Sequence, residues 1–280
     1  MGQPEQHAEG AGPFTTRLTW QRAEGETVVW ESRLARRRGV LSVRGPGEAA
    51  GRPSAAGPRA LRRLRRLNAI ASGAFVTGGA LFAAGAAISQ FGSGDPLLSA
   101  SVYFAGGLFF NTGGYVSLLQ VLNAPRHAPG GGALVTAGWR WWGYEPMRLD
   151  WLSTFVLFVG TLVFCVNLLD SFLRGLSVQQ VNRLVWTPDM IGCVLFLVSG
   201  HLAFAEICHR SLPCLRSRSL GWWVVAVNQF GSLLFMVSAL AAFTRPSTGS
   251  LLNTGIANWG TLTGAVCFSV GGVLQLFERP

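Results

Sequence analysis

The sequence has no lysine, and charged residues of every kind make up only 13% of its 280 residues. Soluble domains carry about 25% charged residues, so this content argues against an ordinary soluble globular protein. All 23 basic residues are arginine, and 13 of them come before Leu67. Charge is thus concentrated in the first quarter of the chain, and the rest is predominantly apolar.

The sequence also lacks the short motifs that carry common chemistry. It contains no phosphate-binding loop, no nucleophile elbow and no HExxH motif. A metal site can be drawn from His201, Glu206, Cys208, His209 and Cys214, but their spacing matches no established ligand pattern. We therefore expect no cofactor and no metal, and the sequence leans away from an enzyme.

Six apolar runs account for most of the chain after Leu67. Each is about 21 to 25 residues long, and a membrane-crossing helix needs about 20 apolar residues. They predict an all-α fold, a polytopic bundle of six transmembrane helices within a domain of residues 67–280. The predicted spans are about 67–90, 98–122, 151–173, 188–208, 222–244 and 254–277.

The positions of the arginines predict the orientation of these helices. Arginines cluster before the first span and in the second and fourth connections, whereas the opposite side has only Arg174, Arg183 and Arg245. Positive residues favour the cytoplasmic side of a membrane. We therefore expect a multi-pass protein of the plasma (inner) membrane with both termini in the cytoplasm. No cysteine falls in a predicted outer loop, so a disulfide framework is not expected.

One eight-residue pattern recurs in all six runs, as in GCVLFLVS (192–199) and GSLLFMVS (231–238). Its glycine, phenylalanine and final small residue lie on one stripe of a helix. Small residues let helices approach closely in lipid, so each phenylalanine is predicted to fill a glycine notch on a neighbouring helix. The predicted packing residues are Gly78, Phe82, Gly106, Phe110, Gly160, Phe164, Gly192, Phe196, Gly231, Phe235, Gly264 and Phe268.

Residues at fixed distances from this pattern predict a repeating unit of two helices. Ten residues before the pattern, the odd-numbered runs carry Asn68, Asp150 and Gly221. Fourteen residues after its glycine, the even-numbered runs carry Gln120, Glu206 and Glu278. We therefore expect three tandem two-helix hairpins, related by rotation about the membrane normal.

Three stretches carry a resemblance to a known group: 160–169, 185–207 and 228–240. There the chain resembles uncharacterised actinobacterial multi-spanning integral membrane proteins, and its hairpin unit is similar to the YrhK-like domain. The resemblance spans roughly 67–278. It implies a membrane location, and it implies no catalytic or ligand-binding residues.

Residues 1–66 form a different kind of segment, basic and predicted to be largely flexible and cytoplasmic. Alternation over 15–33 predicts a short β-hairpin, and the Gly, Pro and Ala content of 45–58 predicts a disordered linker. Arginines just before the first span are predicted to contact anionic lipid headgroups. These are Arg59, Arg62, Arg63, Arg65 and Arg66.

Polar residues inside predicted spans are candidates for function, because burying them in lipid is costly. The candidates are His201, Asn167, Asn228 and Asn258. His201 lies well inside the fourth span, away from either helix end. Glu206, by contrast, lies four residues before Arg210, so a local ion pair explains it.

Two functions of different classes fit these observations. The leading hypothesis is a non-catalytic membrane module for packing, assembly or sensing, because the spans use their small residues for packing. The alternative is a small-solute or ion permease with a polar path near His201, Asn167, Asn228 and Asn258. The expected partner is the lipid bilayer, with anionic headgroups at the cytoplasmic face. No nucleic acid is expected, because no aromatic platform accompanies the arginines, and a protein partner or homo-oligomer is left open.

Overall fold

The structure, a computed structural model, describes residues 6–22, 24–92, 96–128, 131–215 and 218–278. The helices are α1 (Ser32–Arg38), α2 (Pro58–Phe91), α3 (Pro96–Leu122), α4 (Leu149–Asp170), α5 (Val178–Gln180), α6 (Thr187–Cys208), α7 (Leu220–Ala241) and α8 (Thr254–Phe277). The strands are β1 (Gln6–Ala11), β2 (Phe14–Gln21), β3 (Thr27–Glu31), β4 (Val40–Arg44), β5 (Arg52–Ala55), β6 (Arg126–His127) and β7 (Leu134–Val135). A π-helical turn, Val181–Trp186, joins α5 to α6.

In the part of the chain that the structure describes, five helical stretches are long and apolar enough to cross a membrane. They are Pro58–Phe91, Leu149–Asp170, Val178–Cys208, Leu220–Ala241 and Thr254–Phe277. Large apolar side chains on these helices are exposed, among them Leu162, Val194 and Leu233. Apolar surface that recurs on helix after helix suits a lipid environment, whereas soluble monomers rarely expose extended apolar patches. These features are consistent with a membrane protein.

The six long helices pack side by side in the order of the chain. Helix α2 packs against α3, α3 against α4, α4 against α6, α6 against α7, and α7 against α8. Helix α8 then packs against α2, which closes the ring. The ring therefore has an interior, and residues on the inner faces of all six helices can meet there.

A five-stranded antiparallel sheet precedes the ring, with the strands in the order β1-β2-β3-β4-β5. The predicted hairpin at 15–33 contains β2 and β3, which pair with Trp20 opposite Val28. These two side chains are buried with Leu41 of β4 and with Ala60 of α2. The sheet therefore shares its core with the start of the first long helix.

Two expectations about fold class need correction. The chain is not all-α, because the N-terminal segment contains this sheet. Nor is 45–58 a disordered linker, because Arg52–Ala55 is strand β5, paired with β4, and Ala56 is buried. Strand β5 is an edge strand, where a proline such as Pro53 is tolerated, so its composition did not prevent strand formation. Residues 1–5, 23, 93–95, 129–130, 216–217 and 279–280 of the predicted domains lie outside the described residues.

Helix α2 begins nine residues before the predicted span and is about 51 Å long at 1.5 Å per residue. Two leucines of its first turns face the N-terminal domain: Leu64 is fully buried beside Gly39, and Leu61 packs against the sheet core. Of the predicted headgroup arginines, Arg59, Arg62, Arg65 and Arg66 are exposed. Arg63 is half-buried, and its guanidinium lies 5.6 Å from the centre of the Trp139 ring.

A disulfide joins Cys208, the last residue of α6, to Cys214. The expectation that the cysteines form no disulfide is therefore wrong. The left-handed backbone of His209, with φ of 52°, turns the chain directly after α6. The Cα atoms of the two cysteines are 5.6 Å apart, within the range that a disulfide needs. The two cysteines are six residues apart in the sequence, and this spacing alone does not predict the turn at His209 that brings them together.

Candidate functional site, a buried arginine cluster above a central cavity

Phenylalanine rings contact five of the six predicted glycine notches, and each contact lies within one of the helix pairs α2–α3, α4–α6 and α7–α8. A Cβ at Gly106 would lie 2.7 Å from the Phe82 ring, and one at Gly78 would lie 2.9 Å from the Phe110 ring. The contact is thus reciprocal between α2 and α3. Real Cβ atoms essentially never come this close to another heavy atom, so these positions need glycine.

The same exchange occurs between α4 and α6, and in part between α7 and α8. A Cβ at Gly160 or Gly192 would lie 2.9 Å from the Phe196 or Phe164 ring, respectively. In the third pair, a Cβ at Gly231 would lie 3.3 Å from the Phe268 ring. There the backbones themselves approach closely: a Cβ at Gly264 would lie 3.0 Å from the Gly231 carbonyl oxygen.

The six phenylalanines meet at the centre of the ring. The rings of Phe82, Phe164 and Phe235 form a nearly equilateral triangle with centroid separations of 5.7, 6.2 and 6.2 Å. The Phe268 ring lies 5.6 Å from Phe110 and 6.0 Å from Phe196 in a second layer. Aromatic pairs at these distances attract each other. The two layers fill the middle of the bundle with apolar rings.

Helix α1 lies between β3 and β4 and presents arginines to the end of the ring. Arg33, Arg36 and Arg37 are spaced i, i+3 and i+4, so they share one face of this seven-residue helix. Ala35 lies in the sheet core. Gly39 ends the helix with φ of 65°, and its N–H donates to the Ala35 carbonyl oxygen, a backbone conformation that favours glycine.

Arg33 reaches the α7–α8 pair. Its Nε and Nη2 donate to the two carboxylate oxygens of Glu278 at 2.8 and 2.7 Å. A Cβ at Gly221, the first turn of α7, would lie 2.6 Å from this carboxylate and 2.9 Å from Arg33 Nε. Glycine therefore replaces the Asn or Asp of the other two pairs because the ion pair occupies that space.

Arg36 reaches the α4–α6 pair. Its Nη2 donates to Glu206 at 2.7 Å, and its Nε lies 4.0 Å from the Asp150 carboxylate. Ser32 Oγ also donates to Glu206, at 2.9 Å. The predicted ion pair of Glu206 with Arg210 is therefore wrong, because both carboxylate oxygens of Glu206 accept from the N-terminal domain.

Arg37 reaches the α2–α3 pair, and its partners differ in kind. Its Nη1 donates to the amide oxygens of Asn68 and Gln120, both at 2.8 Å, and its Nη2 donates to Gln275 at 3.3 Å. No carboxylate among the described residues accepts a hydrogen bond from Arg37. It is a buried guanidinium, only 6% exposed, that is held by neutral groups.

The electrostatics separate Arg37 from Arg33. Burial disfavours the charged form of Arg33, but Glu278 and Glu206 outweigh burial and raise its pKa. Glu278 shows the converse, since burial opposes its charge and Arg33 nevertheless lowers its pKa. For Arg37, burial and the like charge of Arg36 lower the pKa to about 9. The charge of Arg37 is therefore less compensated than that of Arg33.

A cavity of about 100 Å³ lies between the arginines and the phenylalanine layers. Its polar side includes Arg36, Arg37 and Gln275, and its apolar side includes Phe110 and Phe268. Serine and threonine hydroxyls complete the wall, from Ser117, Ser153, Thr154, Ser199 and Ser232. The cavity is lined by residues of the α2–α3, α4–α6 and α7–α8 pairs.

The four candidate residues predicted from the spans do not converge on this cavity. Asn228 lines it, and the side chain of His201 is exposed on the outside of α6. Asn167 donates to the Val185 carbonyl oxygen at 2.7 Å, and Asn258 donates to Gln90 at 2.9 Å. Three of the four therefore lie outside the central site, on the exposed surface of α6 or in contacts with neighbouring residues.

Sequence reasoning missed the arginines of α1. A clue was present in the sequence, because five of the six aligned positions at the helix ends are polar: Asn68, Asp150, Gln120, Glu206 and Glu278. In the structure, each of these five side chains is 4% exposed or less. Such a set needs a partner that can donate many hydrogen bonds. The i, i+3, i+4 spacing of Arg33, Arg36 and Arg37 in SRLARRR supplies one. The sequence predicted no role for these three arginines, because the predicted topology depended on those from Arg59 to Arg66.

No protein-family model matches the chain, and no curated protein or solved structure is similar enough to it to be matched. Among the residues that the structure describes, no group of three or more His, Cys, Asp or Glu side chains could hold a metal ion.

Proposed function

We propose that the chain crosses the membrane six times, as three tandem hairpins formed by α2–α3, α4–α6 and α7–α8. Helix α3 has 27 residues and a place in the ring equivalent to that of α6 and α8, which supports its counting as a sixth span. The nearly equilateral Phe82, Phe164 and Phe235 triangle supports rotation about an axis through the ring. The proposed orientation has both termini in the cytoplasm of the plasma membrane, and the proposed kinship is with proteins that carry the YrhK-like domain.

The proposed function is that of a non-catalytic sensing module, in which the N-terminal domain responds to the state of the membrane-embedded ring. The observation that carries this proposal is that the arginines of one short helix together bond all three hairpins. Arg33 bonds α7–α8 and Arg36 bonds α4–α6, while Arg37 bonds α2–α3 and also donates to Gln275 of α8 at 3.3 Å. A change in the position of any hairpin would therefore alter the hydrogen bonds that hold α1 against the ring. The exposed arginines of α2 are proposed to rest on anionic lipid headgroups.

Buried ion pairs make the contact between α1 and the helix ring strong, and they also make it sensitive to small displacements of the helices. Removing one partner of a buried pair costs about 3–5 kcal/mol, because the remaining charge is stranded without solvent. Arg33 and Glu278 are both nearly buried, with side chains 11% and 6% exposed. A small displacement of α8 would break two charge-assisted hydrogen bonds at once, and α1 would lose its hold on that hairpin.

A charge-reversal cycle at this pair tests the proposal. In Arg33→Glu or Glu278→Arg, like charges face each other, and we expect faster amide hydrogen exchange throughout β1–β4 in the detergent-solubilised protein. The double variant Arg33→Glu/Glu278→Arg should restore slow exchange. The matched control is Arg38→Glu, on the exposed face of α1. Unchanged exchange in both single variants would show that the domain does not depend on the ring.

A permease is the second candidate, and one observation favours it: Asn228 lines a cavity inside the ring. The two phenylalanine layers, however, close the passage on one side of that cavity. Liposomes that contain the protein should pass no more chloride or small solute than protein-free liposomes. If the unaltered protein transports a solute and Arg37→Gln does not, the permease would replace the sensing module as the proposed function.

A further inference from the structure

The lining of the central cavity includes buried hydrogen-bonding atoms that have no partner in the part of the chain that the structure describes. Four of its lining residues have a buried polar atom without a hydrogen-bond partner among the described residues: Arg36 Nε, Arg37 Nε, Gln275 Nε2 and Ser117 Oγ. Three of these are N–H donors, and the fourth is a hydroxyl that can donate. Buried polar groups in proteins are nearly always satisfied, so these four atoms point to a group that is held there.

Arg37 differs from the other two arginines of α1 in having no anionic hydrogen-bond partner among the described residues. Arg33 bonds Glu278 and Arg36 bonds Glu206, whereas Arg37 bonds only the amide oxygens of Asn68, Gln120 and Gln275. Burial and the neighbouring charge of Arg36 lower the pKa of Arg37. A monovalent anion in the cavity would give Arg37 the ionic partner that its neighbours have.

The size and the second wall of the cavity restrict the kind of anion. A single ordered water needs about 10–15 Å³ of such space, so about 100 Å³ holds a molecule of several heavy atoms. The wall opposite the arginines is apolar and includes Phe110, Phe196 and Phe268. A bare halide would leave this wall without a partner, whereas a short hydrocarbon tail would contact it.

We infer that the cavity binds a small monovalent carboxylate, whose charged end accepts hydrogen bonds from Arg36, Arg37 and Gln275 and whose short apolar tail faces the phenylalanine layer. The inference rests on the proposed sensing function, because it names the ligand class that the module senses. Bound there, the carboxylate joins α1 of the N-terminal domain to α8 of the ring. It therefore stabilises the docked position of the domain.

Isothermal titration calorimetry on the full chain in detergent tests the inference, with sodium butyrate as the probe. Sodium gluconate at equal ionic strength is the background, since gluconate is too large for the cavity. We expect saturable binding of butyrate, at least tenfold weaker binding of chloride, and at least tenfold weaker binding of butyrate by Arg37→Gln. Arg38→Gln, which removes an exposed charge next to Arg37, should bind butyrate like the unaltered protein.

Ser117→Ala is a second variant that keeps every charge, so it tests the site even if Arg37→Gln does not fold. It should weaken butyrate binding severalfold. Absence of butyrate binding, or equal binding by Arg37→Gln in folded form, would overturn the inference, and so would chloride binding as tight as that of butyrate. Hydrogen exchange of β1–β4 with and without butyrate separates the two proposals. Binding without slower exchange supports the carboxylate site and contradicts the sensing function.

Discussion

Replacing a notch glycine by alanine tests the packing of the ring, and α2 contains both a notch glycine and a matched control. Gly78 faces the Phe110 ring, where a Cβ would lie 2.9 Å from a ring carbon and 3.1 Å from the Gly106 carbonyl oxygen. Gly73 is on the same helix, and a Cβ there would meet no atom within 4 Å. Both substitutions add the same methyl group to the interior of one helix.

The magnitudes follow from two opposing effects. Alanine favours a helix over glycine by about 0.5–1 kcal/mol, so Gly73→Ala should raise the free energy of unfolding by that amount. Overpacking of a filled site costs about 1–3 kcal/mol, and the Phe110 ring has little room to move because it contacts Phe75, Phe82 and Phe268. The helix preference is common to both variants, so their difference isolates the overpacking at about 1–3 kcal/mol.

The assay is unfolding of the purified protein in mixed detergent micelles, followed by circular dichroism as the denaturing detergent increases. Gly78→Ala should unfold before the unaltered protein, and Gly73→Ala after it. Equal unfolding midpoints for the two variants would refute the assignment of Gly78 as a notch. A leucine at Gly78 should prevent accumulation of folded protein, because its side chain has no space beside Phe110.

Three further predictions concern other parts of the chain. Arg148, Arg140 and Arg126 hold the pKa of Glu145 at about 2 against the opposing effect of burial, so its contribution to stability is present above pH 4.5 and is lost as the pH falls toward 2. Glu145→Gln should flatten the pH dependence of the melting temperature in that window, and an unchanged slope would contradict the ion cluster. Cys208→Ser should lower stability by about 2 kcal/mol, as expected for a short disulfide loop, in protein purified without reductant. The same substitution should have no effect after reduction with dithiothreitol, and a loss that persists there would assign another role to the thiol. His201→Ala should change the free energy of unfolding by less than about 0.5 kcal/mol, because the side chain is exposed; a large loss would place it in a buried contact.

The packing of the ring could be anticipated because it depends on local spacing. A glycine and a phenylalanine four residues apart fix one stripe of each helix, and that stripe is where the contacts of Phe82, Phe110, Phe164 and Phe196 occur. The aligned polar positions were also visible, since Glu206 and Glu278 stand at the same distance from their glycines. Short-range periodicity therefore carried the information about which faces are buried.

The arginine cluster could not be anticipated in the same way, because it depends on contacts between residues far apart in the sequence. Arg33 and Glu278 are 245 residues apart, and no local pattern links them. Glu206 had a nearer candidate in Arg210, and the i, i+4 spacing favoured the wrong partner. The edge position of β5 likewise depends on β4, so the composition of 45–58 was misleading by itself.

The arginines and the disulfide predict opposite compartments for the sheet. The arginine distribution predicts the cytoplasm. The Cys208–Cys214 disulfide lies at the sheet end of the ring, because Glu206, two residues before Cys208, accepts a hydrogen bond from Ser32 of α1, and disulfides are rare in the cytosol. Labelling of these thiols with a membrane-impermeant maleimide in intact cells, after mild reduction, decides between the two. Labelling only in opened cells is the result expected from the arginines.

Closure of the helix ring is the central claim, and cross-linking of its first helix to its last tests it most directly. Gln90 at the end of α2 accepts a hydrogen bond of 2.9 Å from Asn258 of α8. In a background without the native cysteines, Gln90→Cys/Asn258→Cys should be joined by a short bifunctional methanethiosulfonate. The control Gln90→Cys/Ser171→Cys, which pairs α2 with α4, should not be joined. Cross-linking of the control pair instead would mean that the helices do not form a ring in chain order.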